Sequence, residues 1–229
     1  MDSLRRHRLA FVSDEGWATL LDRPWDAQAR DCLMHWSLHR LPLVVTRQSF
    51  DAEAFIASLA FGLPAPERWG RRRLALQLPR GYVTRFDEFP RLANVVSSLP
   101  VAARDAASNL VGALAACGAG AHVYGSFGWQ ALTGLDHVRS GSDLDLWVPV
   151  GDEANADVVA GHLRKWALDR PRLDGELVFA DGAAVAWREW IEWRAGRARA
   201  VLVKGVTGAE LRRDGACFAT TGLPATIAA

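Results

Sequence analysis

The chain has 229 residues, half of them hydrophobic, with a formal net charge of +1; this excludes a disordered chain and the strongly basic surface of a nucleic-acid binder. The small total hides an asymmetry, since residues 1–85 carry 13 arginines against 9 acidic side chains and the remainder 14 basic against 17 acidic. A basic front half and an acidic back half suit a phosphate clamp facing a metal site, the alternative being solvated charge without a partner.

Three widely spaced cysteines, Cys32, Cys117 and Cys217, make neither a disulfide framework nor a metal knuckle, and fit a reducing, cytoplasmic setting. The basic start of the chain is followed by too short an apolar run, Leu9 to Val12, for a signal peptide, and no stretch approaches the ~20 apolar residues of a membrane span.

In chain order, the pattern predicts a helix over Ala27–Leu41 and a β-branched strand, Leu43 to Thr46, ending at Arg47. Asp51 to Phe61 reads as a helix with an acidic first turn and Gly62 as its stop. After the breaker Leu63-Pro64-Ala65-Pro66, Arg71-Arg72-Arg73 reads as a basic turn feeding a strand through Leu78, and Pro79, Gly81 and Pro90 mark a change of unit. The expected division is a substrate-binding and docking unit over 1–86 and a catalytic unit over 87–229. The second unit opens with a helix over Val101–Cys117, then a strand at His122–Tyr124, a short helix from Phe127 to Leu132 and a strand at Leu144–Val148. A helix from Glu153 to Leu168 is stopped by Arg170-Pro171, a strand follows over Leu173–Phe179, and Asp181-Gly182 turns into Val185-Ala186-Trp187. Trp187, Trp190 and Ile191 share helical spacing, and Ala200 to Lys204 alternates as a last strand. The expected fold is α/β (α+β), with a small mixed sheet flanked by helices.

Asp143 and Asp145 lie two apart in an apolar run, so on a strand they share one face, where like charges repel unless a cation joins them. Hard carboxylate oxygens left partly open to water and phosphate are what Mg²⁺ takes. Asp174 and Glu176 share a strand face in the same way, and a third carboxylate would complete a two-metal cradle for phosphate chemistry. Gly125-Ser126 after an apolar strand lets backbone amides and a hydroxyl approach a phosphate at a helix start. A bare Asp-x-Asp is also found as an exposed edge pair; the glycine and serine ahead of it favour one site.

Strand, Gly-Ser, helix and Asp-x-Asp in a second strand resemble the nucleotidyltransferase superfamily, with Arg172-Leu173-Asp174 similar to the strand carrying its third carboxylate. More narrowly, Gly125 to Gly134, including Gln130, followed by Ser142 to Leu146, resembles the malonate decarboxylase holo-acyl-carrier-protein synthase family of phosphoribosyl-dephospho-coenzyme A transferases. Leu41 to Arg47, Gly62-Leu63-Pro64 with Gly70 to Arg73, Asp174 to Val178, Val185 to Glu189 and Val201 to Lys204 are also similar, so the resemblance spans most of the chain. The loop Thr133 to Gly141 is longer than is usual in the superfamily, and its purpose is left open.

The resemblance implies transfer of the phosphoribosyl-dephospho-CoA group from 2'-(5''-triphosphoribosyl)-3'-dephospho-CoA to a serine of a small apo acyl carrier protein, that of malonate decarboxylase, with release of pyrophosphate. Asp143 and Asp145 would then hold Mg²⁺ (or Mn²⁺), with Asp174 as third ligand or base and Glu176 as the alternative for that role. Gly125, Ser126 and Gln130 would lie at the substrate. Arg47, Arg71, Arg72, Arg73 and Lys204 are candidates for the leaving phosphates, because such cations stay charged and bind phosphate oxygens. An acidic carrier protein would meet the basic front half; neither nucleic acid nor membrane is an expected partner.

Competing readings are a nucleotidyltransferase with a small-molecule acceptor and a non-catalytic nucleotide-binding or antitoxin-like module; retained, mutually repelling carboxylates argue against the second. His35 and His39 lack the glutamate of a zinc helix, Trp187, Trp190 and Trp193 read as core, and no Gly-x-x-x-x-Gly-Lys-Ser/Thr loop is present.

Overall fold

A computed structural model describes residues 4–51, 57–213 and 218. Two sheets carry the chain. The first has the order β4-β3-β2-β1-β5, with β1 Leu9–Val12, β2 Leu43–Val45, β3 Leu59–Pro64, β4 Arg73–Leu78 and β5 Val83–Asp87, all neighbours antiparallel. Helices α1 (Asp14–Leu21) and α2 (Ala27–Leu38) are started by Ser13 and Asp26, whose side chains accept from the Gly16 and Ala29 amides. They bury Trp17, Leu20, Leu33 and Trp36 in one core with Leu9, Phe61, Leu63 and Leu76. The opposite face of this sheet presents the small or polar residues Val44, Gly62, Pro64, Arg73 and Ala75 to a cleft.

The second sheet is mixed, with the order β11-β10-β9-β8-β7-β6: β6 His122–Tyr124, β7 Leu144–Pro149, β8 Leu173–Val178, β9 Ala184–Ala186, β10 Val201–Lys204 and β11 Ala209–Arg212. Only β7 and β8 run parallel, in a register that sets Asp145 opposite Asp174 and Trp147 opposite Glu176. After α3 (Leu92–Val95), helices α4 (Val101–Ala116), α6 (Glu153–Leu163) and α7 (Trp187–Arg194) lie over one face and bury Leu110, Leu114, Val159, Leu163, Trp187 and Trp190 against Leu144, Leu146 and Leu177. Period-two alternation sends Tyr124, Asp145, Asp174, Glu176 and Lys204 to the other face. Helix α5 (Gly125–Thr133) joins β6 to the loop before β7, and its Trp129 is buried in the first core beside Trp36 and Phe89.

The α+β class agrees with the sequence reading. The helix expected over Asp51–Phe61 does not hold at its end: Leu59 to Phe61 begin β3, where Leu59, Phe61 and Leu63 are buried alternately and Gly62 is mid-strand rather than a stop. Residues 52–56 of that expected helix lie outside the described residues. The helix from Glu153 ends at Leu163, before Leu168, and Trp166 then donates its indole N–H to the Pro171 carbonyl. Strands β1, β5 and β11 and helices α1 and α3 are additions to the sequence reading. Cys32 and Cys117 are free thiols, and Cys217 lies outside the described residues. Among the described residues no helix is long and apolar enough to cross a membrane.

Candidate active site

The open face of the first sheet, helix α5 and the polar face of the second sheet enclose a cavity of about 930 Å³. Its lining includes Arg6, His7, Thr46, Arg47, Arg73, Tyr124, Gly125, Ser126, Trp129, Asp145 and Lys204.

Gly125 opens α5 with φ 62°, a conformation that favours glycine, and a Cβ there would run into the Asp145 carboxylate. The glycine thus brings the amide-rich start of the helix against the aspartate, with Ser126 following it. Asp145 is mostly buried. Burial, then the charges of Asp174 and Asp143, push its carboxyl up to about 7, and Arg172 opposes them.

Asp143 precedes β7 and is held by Arg172, whose Nη2 and Nε lie 2.5 and 3.3 Å from its two carboxylate oxygens. The same Nη2 is 3.6 Å from Asp174 Oδ2. Arg172 therefore supplies positive charge between the carboxylates, as their repulsion requires. It stands two residues before Asp174, immediately ahead of β8, a spacing from which the pairing was readable.

Glu176 lies deeper, 5 % exposed, with Lys204 Nζ at 2.8 Å and His7 Nε2 at 3.4 Å. Burial raises its pKa, but His7 and Lys204 outweigh burial and hold the carboxyl down to about 2. Such a carboxylate is a weak base, and its place is beneath the cavity as a counter-ion. His7, with φ 62°, stacks on Tyr124 at a ring distance of 4.3 Å and donates its amide to the Val45 carbonyl. It carries the N-terminal segment onto the second sheet, where Arg5 lies 4.1 Å over the Trp147 ring. Nothing in the local sequence distinguishes this histidine, and sequence reasoning missed it.

The structure brings together in the cavity Gly125, Ser126, Asp145, Arg47, Arg73 and Lys204, with Asp143 and Asp174 beside Asp145. It does not bring in Arg71, Arg72 or Gln130. Arg72 pairs with Asp26 at 2.6 Å on the surface. Arg71 is engaged with Glu67 and donates to the His137 carbonyl, and Gln130 Oε1 accepts the His137 and Val138 amides at 3.2 and 3.0 Å. These last two side chains hold the loop after α5 in place. Arg47 donates to the Thr207 carbonyl at 3.0 Å at the cavity rim.

As to a divalent cation, the three carboxylates of Asp143, Asp145 and Asp174 are hard donors with surplus negative charge, so they fit Mg²⁺ in type and charge. Among the described residues no three acidic, histidine or cysteine groups converge closely enough to ligate an ion as they stand, and Arg172 spans Asp143 and Asp174.

The family model described as phosphoribosyl-dephospho-CoA transferase MdcG, C-terminal domain, matches residues 91–215, and the corresponding N-terminal domain model matches residues 5–89. Similar proteins include a phosphoribosyl-dephospho-CoA transferase of Bradyrhizobium diazoefficiens, 37% identical over 202 residues, covering 88% of this chain and 86% of that protein. One of the same name from Xanthomonas euvesicatoria pv. vesicatoria is 35% identical over 217 residues, covering 93% and 96%. No solved structure gives a significant match. With both halves matched and relatives aligned almost end to end, the chain belongs to the phosphoribosyl-dephospho-CoA transferase family.

Proposed function

We propose that the protein transfers the phosphoribosyl-dephospho-CoA group from its triphosphoribosyl donor to a serine of the apo acyl carrier protein of malonate decarboxylase, releasing pyrophosphate, by nucleotidyltransferase-type chemistry. The observation that carries this is the meeting, in one cavity, of Asp145, flanked by Asp174 and Asp143, with a Gly-Ser helix start and with Arg47, Arg73 and Lys204.

The Gly125 and Ser126 amides and the Ser126 hydroxyl take phosphate oxygens, and Arg47 and Lys204 neutralise the departing pyrophosphate. Asp143, Asp145 and Asp174 would hold Mg²⁺, which when bound neutralises phosphate charge and lowers the pKa of the attacking hydroxyl. Asp174, more open than Glu176, would be the carboxylate that accepts the serine proton. Buried Glu176 fixes the Lys204 ammonium at the cavity wall, so that the cation is presented without searching rotamers. Phosphoryl transfer of this kind depends mainly on positioning and charge neutralisation, which these groups provide. The free thiols accord with a cytoplasmic setting, and an acidic carrier protein would be drawn to the arginine-rich first half.

The test is an intact-mass assay with purified protein, Mg²⁺, donor and apo carrier protein, with Asp143→Ala as control. A gain equal to the transferred group, absent with the variant, supports the reading. No gain with a folded, metal-binding protein would sink it.

A further inference from the structure

His137 belongs to the loop Thr133 to Gly141. It is 6 % exposed, lines the cavity, and its Nε2 is buried with no hydrogen-bond partner among the described residues. A buried nitrogen left without a partner is destabilising, so its retention calls for a ligand-side explanation. The loop nevertheless holds this residue firmly, with its amide on Gln130 Oε1 and its carbonyl on Arg71 Nη1.

Its position follows from the topology. Arg47 and Gln48 bond to Thr207 and Val206 at the end of β2, which places the Lys204 hairpin there. Arg71, in the turn between β3 and β4, bonds to His137 at the opposite end of the same strands. Ala60 to Pro64 of β3 spans that interval, about 13 Å at the strand rise. On α5, whose Gly125 lies beside Asp145, His137 packs against Trp129 and Gln130, about 6–7 Å further along the helix axis. The cleft is therefore an elongated slot with the carboxylates and Lys204 at one end and His137 at the other.

The His137 end has the form of a base-binding pocket. Trp129 lies near-parallel to the imidazole, 28° apart with ring centroids at 6.2 Å, and Phe89 and Pro64 add apolar wall. The floor beside them is the cross-strand pair Gly62 and Ala75, flat because neither carries more than a methyl group. Arg73, opposite Pro64, supplies a cation at the same end.

Resting on the proposed function, we infer that this end of the cleft binds the adenine of the donor and that His137 Nε2 hydrogen-bonds an edge of the base, making His137 a specificity-determining residue. The loop left unexplained by the sequence thereby acquires a purpose. Burial, then Arg71, lower the His137 pKa to about 4, so the ring is neutral and is not built to bind phosphate. A neutral imidazole has one donor and one acceptor nitrogen, and adenine presents both an amino donor and ring acceptors, so either tautomer finds a match.

The test is calorimetric binding of dephospho-CoA and of 4'-phosphopantetheine to the wild type, His137→Phe and His137→Gln. Phenylalanine keeps the ring and removes the nitrogens; glutamine puts a polar atom near the place of Nε2. The expected result is about tenfold weaker dephospho-CoA binding to His137→Phe, unchanged 4'-phosphopantetheine binding, recovery of most of the loss with His137→Gln, and a raised donor KM with unchanged kcat for His137→Phe. Equal dephospho-CoA binding by wild type and His137→Phe overturns the inference. So does an equal loss for both ligands, which assigns the pocket to the pantetheine arm, or a glutamine variant no better than phenylalanine, which assigns the effect to packing. Dephospho-CoA binding through His137 without modification of carrier protein would uphold the inference and sink the proposed function; a wild type that does not bind dephospho-CoA overturns both.

Discussion

Replacing Asp145 by asparagine is expected to stabilise the metal-free protein at neutral and alkaline pH while abolishing transfer. The carboxyl titrates at about 7 in the folded chain against an ordinary value of 3.8, because burial and then Asp174 and Asp143 disfavour its charge. Between those values the folded state holds a proton that the unfolded state has lost, so stability falls as pH rises toward 7 and levels off above it. The gap corresponds to about 4 kcal/mol, an upper figure that belongs to the coupled carboxylates as a group. The substituted asparagine keeps the shape and lacks the charge, so the slope should largely vanish in the variant. The assay is urea unfolding without metal at a series of pH values from about 4 to about 8. Added Mg²⁺ at about a hundred times its Kd should return about 2.7 kcal/mol to the wild type at the alkaline end and little to the variant. Parallel stability–pH profiles for the two proteins would refute the reasoning.

Gly125→Ala should lose about 1–2 kcal/mol from its left-handed backbone alone, and its methyl must displace Asp145, so activity should fall more than thermal stability does. Glu176→Gln leaves the Lys204 ammonium without its carboxylate and should destabilise the fold by about 3 kcal/mol in urea titrations at neutral pH. Because the Glu176 carboxyl is held down to about 2, its stabilisation is present above the ordinary glutamate value and is lost as pH falls toward 2, so wild type and variant should converge in acid. Arg172→Ala removes the cation that lowers the Asp145 pKa; the pH midpoint for Mg²⁺ binding, read by calorimetry, should therefore move upward.

The second half of the chain was the more legible. Its strands are apolar runs bounded by Gly, Pro and Asp, so β6, β7 and β8 fell close to their true limits; period two grouped Asp143 with Asp145 and Asp174 with Glu176, and the parallel β7–β8 register sets Asp145 opposite Asp174. The first half was harder because its cues conflict. Asp51 reads as a helix start, yet Leu59, Phe61 and Leu63 follow the two-residue period of a sheet buried on one side. The short strands β1 and β5 depend on pairing with each other, and tertiary partners override local propensity there. Within the site, Gly125, Ser126 and Asp145 were readable because their spacing is local. The Arg71 and Gln130 assignments show the limit of that approach: each side chain is spent on the His137 loop, through contacts that residue type alone does not reveal. His7 was invisible for the same reason, since its contact with Glu176 joins the start of the chain to β8 of the second sheet.

The most direct test of the central claim is the stoichiometry of one reaction mixture: pyrophosphate released and carrier-protein serine modified, the latter located by peptide mass mapping. The account predicts one pyrophosphate for each modified serine, and neither product with Asp145→Asn. Pyrophosphate formed without modified serine, or a modification carrying the donor's triphosphate intact, would contradict it.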